Sequence, residues 1–380
     1  LGHGVGDQML RSIADRIRLA AGPGDTPARL GGDEFALLLE DRGGVDRALD
    51  VAEGLLEELR QPVALAGYDL TVLASVGVAV STPGMTTAGL LRDADIAMYE
   101  AKRAGKSQIK IFDPAMRLTA TRHLEFRSDL GSAIEHDQLR LVFQPMVDLR
   151  TRRVVGAEAL LRWEHPTRGP IAPAEFIPIA ERAGLIVPIG KWVVDQSIKA
   201  ASRWQSRGSQ RVSVNVSALQ IRSPEVVEWV RASLEEHQLD AGRLVLEITE
   251  TTFVAEIESA SDNLASLREL GVLIALDDFG TGYCSMSYLQ RFPVDIVKID
   301  HQFIDELDEH PHVMSLAKLI LQLTAGLEVT SVAEGIERPA QLRMLKALGC
   351  DVGQGYLLSG PLEADELDRC LGAPSALAAT

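Results

Sequence analysis

The strongest constraint on what this chain can fold into is a rhythm. From about residue 119 onward, apolar runs of strand length alternate with stretches of helical periodicity. The runs are 139–147, 154–163, 212–216, 244–248, 273–276, 296–299, 329–332 and 351–357. Helical stretches include 121–135, 192–205, 224–238, 255–270, 313–326 and 339–348. Eight strands mostly alternating with helices predict a (β/α)8 barrel of the TIM type. The first two runs are separated only by a short turn at 150–153. Parallel neighbours need a crossover of about a dozen residues, so one of these two should run antiparallel to the rest.

Residues 1–112 read differently. Helical patterns at 8–19, 45–59 and 88–103 alternate with strand patterns at 28–30, 35–39 and 70–80, and Gly31-Gly32 sits between the first two as a hairpin turn. This is an α+β pattern. The expected division is a first domain over 1–113, a linker at 114–120, a second domain over 121–372 and a tail at 373–380. The chain starts with Leu1 and shows neither a signal-peptide pattern nor an apolar run long enough to span a bilayer. It is expected to be a cytoplasmic fragment of a longer protein, whose missing part could carry a sensor or a membrane anchor. Three dispersed cysteines, Cys284, Cys350 and Cys370, suit reduced thiols better than a disulfide framework or a zinc site. His310 and His312 offer too few ligands for zinc and read as the loop that starts a helix.

A net charge of −16 argues against binding of a nucleic-acid polymer, which needs a basic surface. Residues 1–112 carry 12 basic and 16 acidic side chains, and residues 113–380 carry 26 and 38. An acidic domain that handles an anionic substrate needs a local positive centre, for which bound metal is the natural candidate.

The strand ends carry the chemistry. Glu158 lies in the second run, Asn215 in the third and Glu247 in the fourth; Asp277-Asp278 follow the fifth; Lys298 lies in the sixth, Glu334 after the seventh and Gln354 in the eighth. The C-terminal rim of such barrels holds the active site, assembled from several strands. Glu, Asp and Asn are hard oxygen ligands, which favour Mg2+ or Mn2+ over zinc. Their negative charge is excessive for one divalent ion and reasonable for two, and paired cations suit phosphodiester hydrolysis. Adjacent strand residues face opposite ways, so Asp277 and Asp278 can both ligate only if the strand ends there. Phe279-Gly280-Thr281-Gly282 would supply the turn. Lys298 would hold the attacking water or offset phosphoryl charge; its plainer reading is a rim salt bridge.

Glu158-Ala159-Leu160-Leu161-Arg162-Trp163 resembles the signature of the EAL family of cyclic di-GMP phosphodiesterases. The family's other motifs follow in order around it: Phe143-Gln144-Pro145, Asn215-Val216-Ser217, Glu247-Ile248-Thr249-Glu250, Asp277-Asp278-Phe279-Gly280-Thr281-Gly282, Lys298-Ile299-Asp300, Ala333-Glu334-Gly335-Ile336-Glu337 and Gly353-Gln354-Gly355. The resemblance implies that Glu158, Asn215, Glu247 and Asp277 bind one metal and that Asp277, Asp278 and Glu334 surround a second. Lys298 would engage the catalytic water, and Glu250 would hold the loop after Asp278. Gln144, Leu161, Arg162 and Gln354 would contact the substrate, which the family opens to linear pGpG. Cys284 and Met286 stand where Ser and Leu are usual, and Cys284 could make that loop sensitive to oxidation. The resemblance also implies a homodimer through the barrel. A receptor that binds cyclic di-GMP without turnover is the alternative, and the full set of ligand residues weighs against it. A magnesium-dependent enolase- or isomerase-like barrel is displaced by the motif string.

Gly31-Gly32-Asp33-Glu34-Phe35 resembles the signature of GGDEF diguanylate cyclases. Gly2-His3 to Gly6-Asp7 and Met98-Tyr99 to Lys102 and Lys106 match two further patches. In active members Asp33, in the Asp33-Glu34 turn, would hold metal near GTP. Asp7 would recognise guanine, and Lys102 with Lys106 would face phosphate. The family's first strand and helix, which bring another metal-binding Asp, are absent upstream of Leu1, so a chain that starts here should fail to cyclise GTP. The product-binding inhibitory patch is incomplete, with Gly22 in place of its Arg, although Asp25 fills the partner position.

Overall fold

The computed structural model describes residues 3–40, 43–65, 68–103, 107–204, 208, 210–281 and 294–371. Lys106, Cys284 and Met286 therefore lie outside the described residues, as does Gly2. The chain divides into two compact units, Leu1–Glu125 and Phe126–Thr380.

In the first unit, the helix His3–Ala20 precedes a hairpin of β1 (Thr26–Gly31) and β2 (Glu34–Leu38). The hairpin pairs Gly31 with Glu34 through a register shift after Arg29. Gly32 sits at φ +52, a left-handed turn that glycine adopts without strain. The helix Gly44–Arg60 is amphipathic, with Ala52, Leu56 and Leu59 buried. Then come β3 (Val63–Leu65) and β4 (Tyr68–Leu70), an antiparallel pair, and β5 (Val76–Val78), which runs parallel to β6 (Ile109–Ile111) across the helix Thr87–Arg103. The β-rich run at 70–80 is thus divided between the end of β4 and β5. The helix Pro114–Gly131 follows, passing through residues 114–120. Its Arg117 makes a two-pronged ion pair to the fully buried Asp93, at 2.5 and 2.9 Å.

The second unit is the expected closed barrel. Its strands are β7 (Leu139–Asp148), β8 (Val154–His165), β10 (Arg211–Asn215), β11 (Leu244–Thr249), β12 (Leu273–Phe279), β13 (Ile296–Ile299), β14 (Thr330–Ala333) and β15 (Val352–Gly353), and β9 (Gly169–Ile171) pairs antiparallel with the end of β8 outside the ring. Neighbours pair in chain order from β10 to β15; β15 then meets β7, β7 meets β8, and β8 meets β10, which closes the sheet. β7 is antiparallel to both of its neighbours and every other pair around the ring is parallel. Its short link to β8 leaves no room for a crossover.

One side of the strands packs against the surrounding helices in a single large cluster that includes Trp163, Trp204, Phe176 and Leu246. The other side fills the barrel with a separate layer: Met146, Val245, Ala275, Ile296, Val332 and Val352. This layer is the floor of the site.

Candidate active site

Side chains on a strand alternate with a period of two, so the residue two positions beyond a floor residue also points into the barrel. On β11 the step from Val245 reaches Glu247, on β12 the step from Ala275 reaches Asp277, and on β13 the step from Ile296 reaches Lys298. The step from Val332 reaches Glu334 just past the end of β14, and the step from Val352 reaches Gln354 just past the end of β15. β7 runs the other way, and the matching residue is Gln144, two positions before Met146. One polar ring thus stands above one apolar layer.

At its centre is Lys298, 1% exposed. Its Nζ lies 2.6 Å from Glu334 Oε1, 2.7 Å from Glu247 Oε2, 3.2 Å from Asp277 Oδ1 and 3.3 Å from Glu158 Oε2. The salt bridge is therefore at the heart of the site, not on its rim. Asn215 Nδ2 donates to Glu158 Oε1 at 2.7 Å, and Gln354 Nε2 donates to Glu158 Oε2 at 2.8 Å and to Gln144 Oε1 at 3.1 Å. The Gln144 amide in turn donates to the Ser359 carbonyl.

Four carboxylates share one ammonium, and their ionisation is displaced accordingly. Burial pushes the Glu247 carboxyl well up, with the charges of Glu158 and Asp277 adding to it and Lys298 opposing. Burial also raises Glu334 to about 7, helped by Asp277 and Glu158 against Lys298. Glu158 goes the other way: burial opposes its charge, but Lys298 and the amides of Gln354 and Asn215 outweigh it and lower the pKa. Lys298 is desolvated, yet the surrounding carboxylates hold its pKa well above the usual range. A buried carboxylate must be paired, protonated or bound to metal. Here one lysine is too little.

Asp278 shows how the sequence expectation met the chain. β12 does not end at Asp277; it continues to Phe279 and carries a bulge, with one extra residue between Leu276 and Phe279 relative to β13. Asp278 takes that extra position at φ +55. The bulge breaks the two-residue alternation, so Asp277 and Asp278 come to the same side. Their oxygens and one of Glu334 lie within 4.8 Å of one another. Burial, the Asp277 charge and a hydrogen bond with Asp300 raise Asp278 to about 6. Glu250 opens the helix Glu250–Glu269, is 1% exposed, and accepts the Gly280 N–H at 2.7 Å, which pins the turn after the bulge.

A cavity of about 580 Å³ opens above the ring, lined by Gln144, Glu158, Asp277, Lys298, Glu334 and Gln354 together with His301, Arg338 and Tyr356. Leu161 and Arg162 are half-buried and are not among its lining residues; the Arg162 guanidinium donates to the Leu161 carbonyl at 2.9 Å. Sequence reasoning gave no role to Asp300, His301 or Tyr356. Asp300 follows Lys298 by the same two-residue step, a signal that was readable.

In the first unit, Asp33, Glu34 and Lys102 are exposed, and Asp7 lines a separate cavity of about 390 Å³ with Arg11, Arg18, Arg29 and Phe35. Asp25 is taken up internally: it accepts from Gly22 N at 2.8 Å and pairs with Arg47 at 2.7 Å, which lowers its pKa. Cys350 is buried, its thiol pushed up to about 12, and Cys370 is half-buried. Among the described residues, no helix is long and apolar enough to cross a membrane.

Comparison with known proteins decides the family. The family model described as EAL domain matches residues 127–361, more than half of the chain. The chain belongs to the EAL domain family. Ahead of the EAL domain, residues 1–108 match the family described as diguanylate cyclase, GGDEF domain. The chain is 41% identical over 369 residues to the bifunctional diguanylate cyclase/cyclic di-GMP phosphodiesterase MucR of Pseudomonas aeruginosa, covering 96% of this chain and 54% of MucR. It is 36% identical over 376 residues to the cyclic di-GMP phosphodiesterase NbdA of the same organism, covering 98% of this chain and 48% of NbdA. The chain thus spans about half the length of these relatives. A solved structure of the MucR phosphodiesterase in complex with cyclic di-GMP superposes with a TM-score of 0.61 at 41% identity, covering 64% of this chain and 99% of that one.

Proposed function

We propose that the EAL domain hydrolyses cyclic di-GMP to linear pGpG with the help of two divalent cations, Mg2+ or Mn2+. The observation that carries this reading is the set of buried carboxylates from separate strands converging on a single lysine. The residues suit hard cations. All the donors are oxygens, Asp277 Oδ1 is buried and makes no hydrogen bond although it lies 3.2 Å from Lys298 Nζ, and the Asp277, Asp278 and Glu334 oxygens are already grouped. Glu158, Asn215, Glu247 and Asp277 would hold one ion; Asp277, Asp278 and Glu334 would hold the other. Asn215 turns its Nδ2 to Glu158, which leaves its Oδ1 available. Bound cations would neutralise charge at the scissile phosphate and lower the pKa of a ligated water.

The chain's own residues would do the rest. Lys298, held on four sides, would orient the attacking water and offset charge on the phosphoryl oxygens. Gln354 donates to both Gln144 and Glu158, and the Gln354 Oε1 is buried with no hydrogen-bond partner, as suits a group awaiting substrate. Arg162 would reach a phosphate after leaving the Leu161 carbonyl. Glu250 would keep the turn after Asp278 in place. Similarity to MucR and NbdA supports the substrate.

The test is incubation of the chelator-treated chain with cyclic di-GMP, with and without Mn2+, and chromatography of the products. Metal-dependent pGpG is expected, and its loss in Glu158→Ala. Tight binding without product would favour a receptor instead. For residues 1–108 we infer a regulatory role through GTP. The exposed Asp33 turn and the arginine-lined cavity beside Asp7 support it, and a GTP-dependent change in hydrolysis rate would test it.

A further inference from the structure

His301 follows the Lys298-Ile299-Asp300 run and stands at the start of the short helix Gln302–Asp305. Its side chain is 57% exposed and lines the same cavity as Lys298 and Glu334. Its Nδ1 lies 3.3 Å from Asp300 Oδ2. Asp300 is 4% exposed, and its other oxygen accepts the Gln302 N–H at 2.8 Å, so the backbone fixes the carboxylate that holds the imidazole. A carboxylate on Nδ1 orients the ring, stabilises the imidazolium and leaves Nε2 free for proton transfer. The ring's position is also built in. Gly335 sits at φ +69, and a Cβ there would meet His301 Cβ at 2.8 Å, so glycine after Glu334 is what lets the histidine pack beside the carboxylate cluster.

We propose that His301 is the general acid of the cleavage, protonating the ribose oxygen that leaves phosphorus. This rests on the phosphodiesterase reading above. In the step, the water oxygen bonds to phosphorus while the bond from phosphorus to the ribose oxygen breaks with its electron pair. That oxygen takes the Nε2 proton, and the proton given up by the water restores the imidazolium after the product departs. The groups that face the ring are mostly acidic. Asp300 and Asp305 belong to its own segment, Glu334, Glu337 and Arg338 come from the loop after β14, Lys298 from β13 and Tyr356 from the turn after β15. Of the two cations, Lys298 is paired with four carboxylates and Arg338 with Asp308 at 2.5 Å.

The leaving group provides the test. A ribose alkoxide needs a proton, whereas nitrophenolate leaves without one. In the full chain with Mn2+, His301→Gln should lower kcat for cyclic di-GMP about 10²-fold, the scale of general-acid catalysis, and flatten the alkaline fall of the pH–rate profile. The same variant should lose no more than about threefold on bis(4-nitrophenyl) phosphate, because that reaction draws little on the acid. Equal losses on both diesters, a rise in KM at unchanged kcat, or an unaltered variant would each overturn the proposal. Inactivity of the wild-type chain on both diesters would sink the phosphodiesterase reading itself, and this proposal with it.

Discussion

The two acidic motifs of this chain meet opposite surroundings. In the EAL domain, Glu158, Glu247, Asp277 and Glu334 come from separate strands and close around a lysine that is 1% exposed. In the GGDEF unit, Gly31, Gly32, Asp33 and Glu34 stand on an exposed hairpin turn, steadied by Arg29 bonding to the Gly32 carbonyl. Water can satisfy an exposed carboxylate, whereas a buried one has to find a partner in the protein, a proton or a metal. The barrel cluster therefore needs its charge compensated, by protons or by cations; the exposed hairpin does not. A motif string says which residues are present, and burial says which of them are under obligation.

The largest expected break in that contrast comes from Lys298→Met. It removes the cation that four carboxylates share, so the metal-free chain should lose about 3–5 kcal/mol, as when one partner of a buried ion pair is deleted. Turnover should fall by about 10³-fold, the upper scale for one transition-state donor. Thermal melts in chelator and pGpG formation in Mn2+ measure the two effects. Next comes Asp278→Asn, which keeps the bulge but weakens the second ion; several kcal/mol of charge stabilisation at the phosphate corresponds to a loss of about 10²-fold in kcat.

The pH response follows in size. Glu334 and Asp278 are raised to about 7 and about 6 by burial and neighbouring acids in the metal-free fold. Raised carboxyls give their full contribution to stability below the ordinary carboxylate range and lose it as pH climbs through those values. The melting temperature of the stripped chain should drop by several degrees as pH rises through that window. Mn2+ should restore more at the alkaline end, where protons no longer compete for the ligands. A stabilisation by Mn2+ that is larger at acid pH would contradict the metal assignment. The smallest effect is expected from Asp33→Ala, an exposed position where most substitutions change stability by less than about 0.5 kcal/mol. Hydrolysis without GTP should stay near wild type in a side-by-side assay.

Much of the barrel was legible because its strands are apolar runs separated by helices, and 296–299 matches β13 as observed. The last strand was over-read: 351–357 contains only Val352–Gly353 as strand. Gly355 ends it, in a position where a Cβ would lie 2.2 Å from Ile336 N, so the chain packs against the loop after Glu334 instead of continuing the ladder. The ring of ligand residues could be found because they fall in or just after the apolar runs, in the order of a family's motifs. The bulge at Asp278 could not, because it depends on the register against β13, a tertiary fact. The standing of Arg162 was also out of reach, since its guanidinium rests on its neighbour's carbonyl and not on the cavity wall.

The central claim is a pair of ions held by residues from different strands. Electron paramagnetic resonance of the Mn2+-loaded chain addresses it directly. The account predicts two ions per chain with exchange-coupled spectra, reduced to a single uncoupled ion in Asp278→Asn. One isolated ion in the wild-type chain, or a coupled pair that survives replacement of Glu158, Asp278 and Glu334 together, would contradict it.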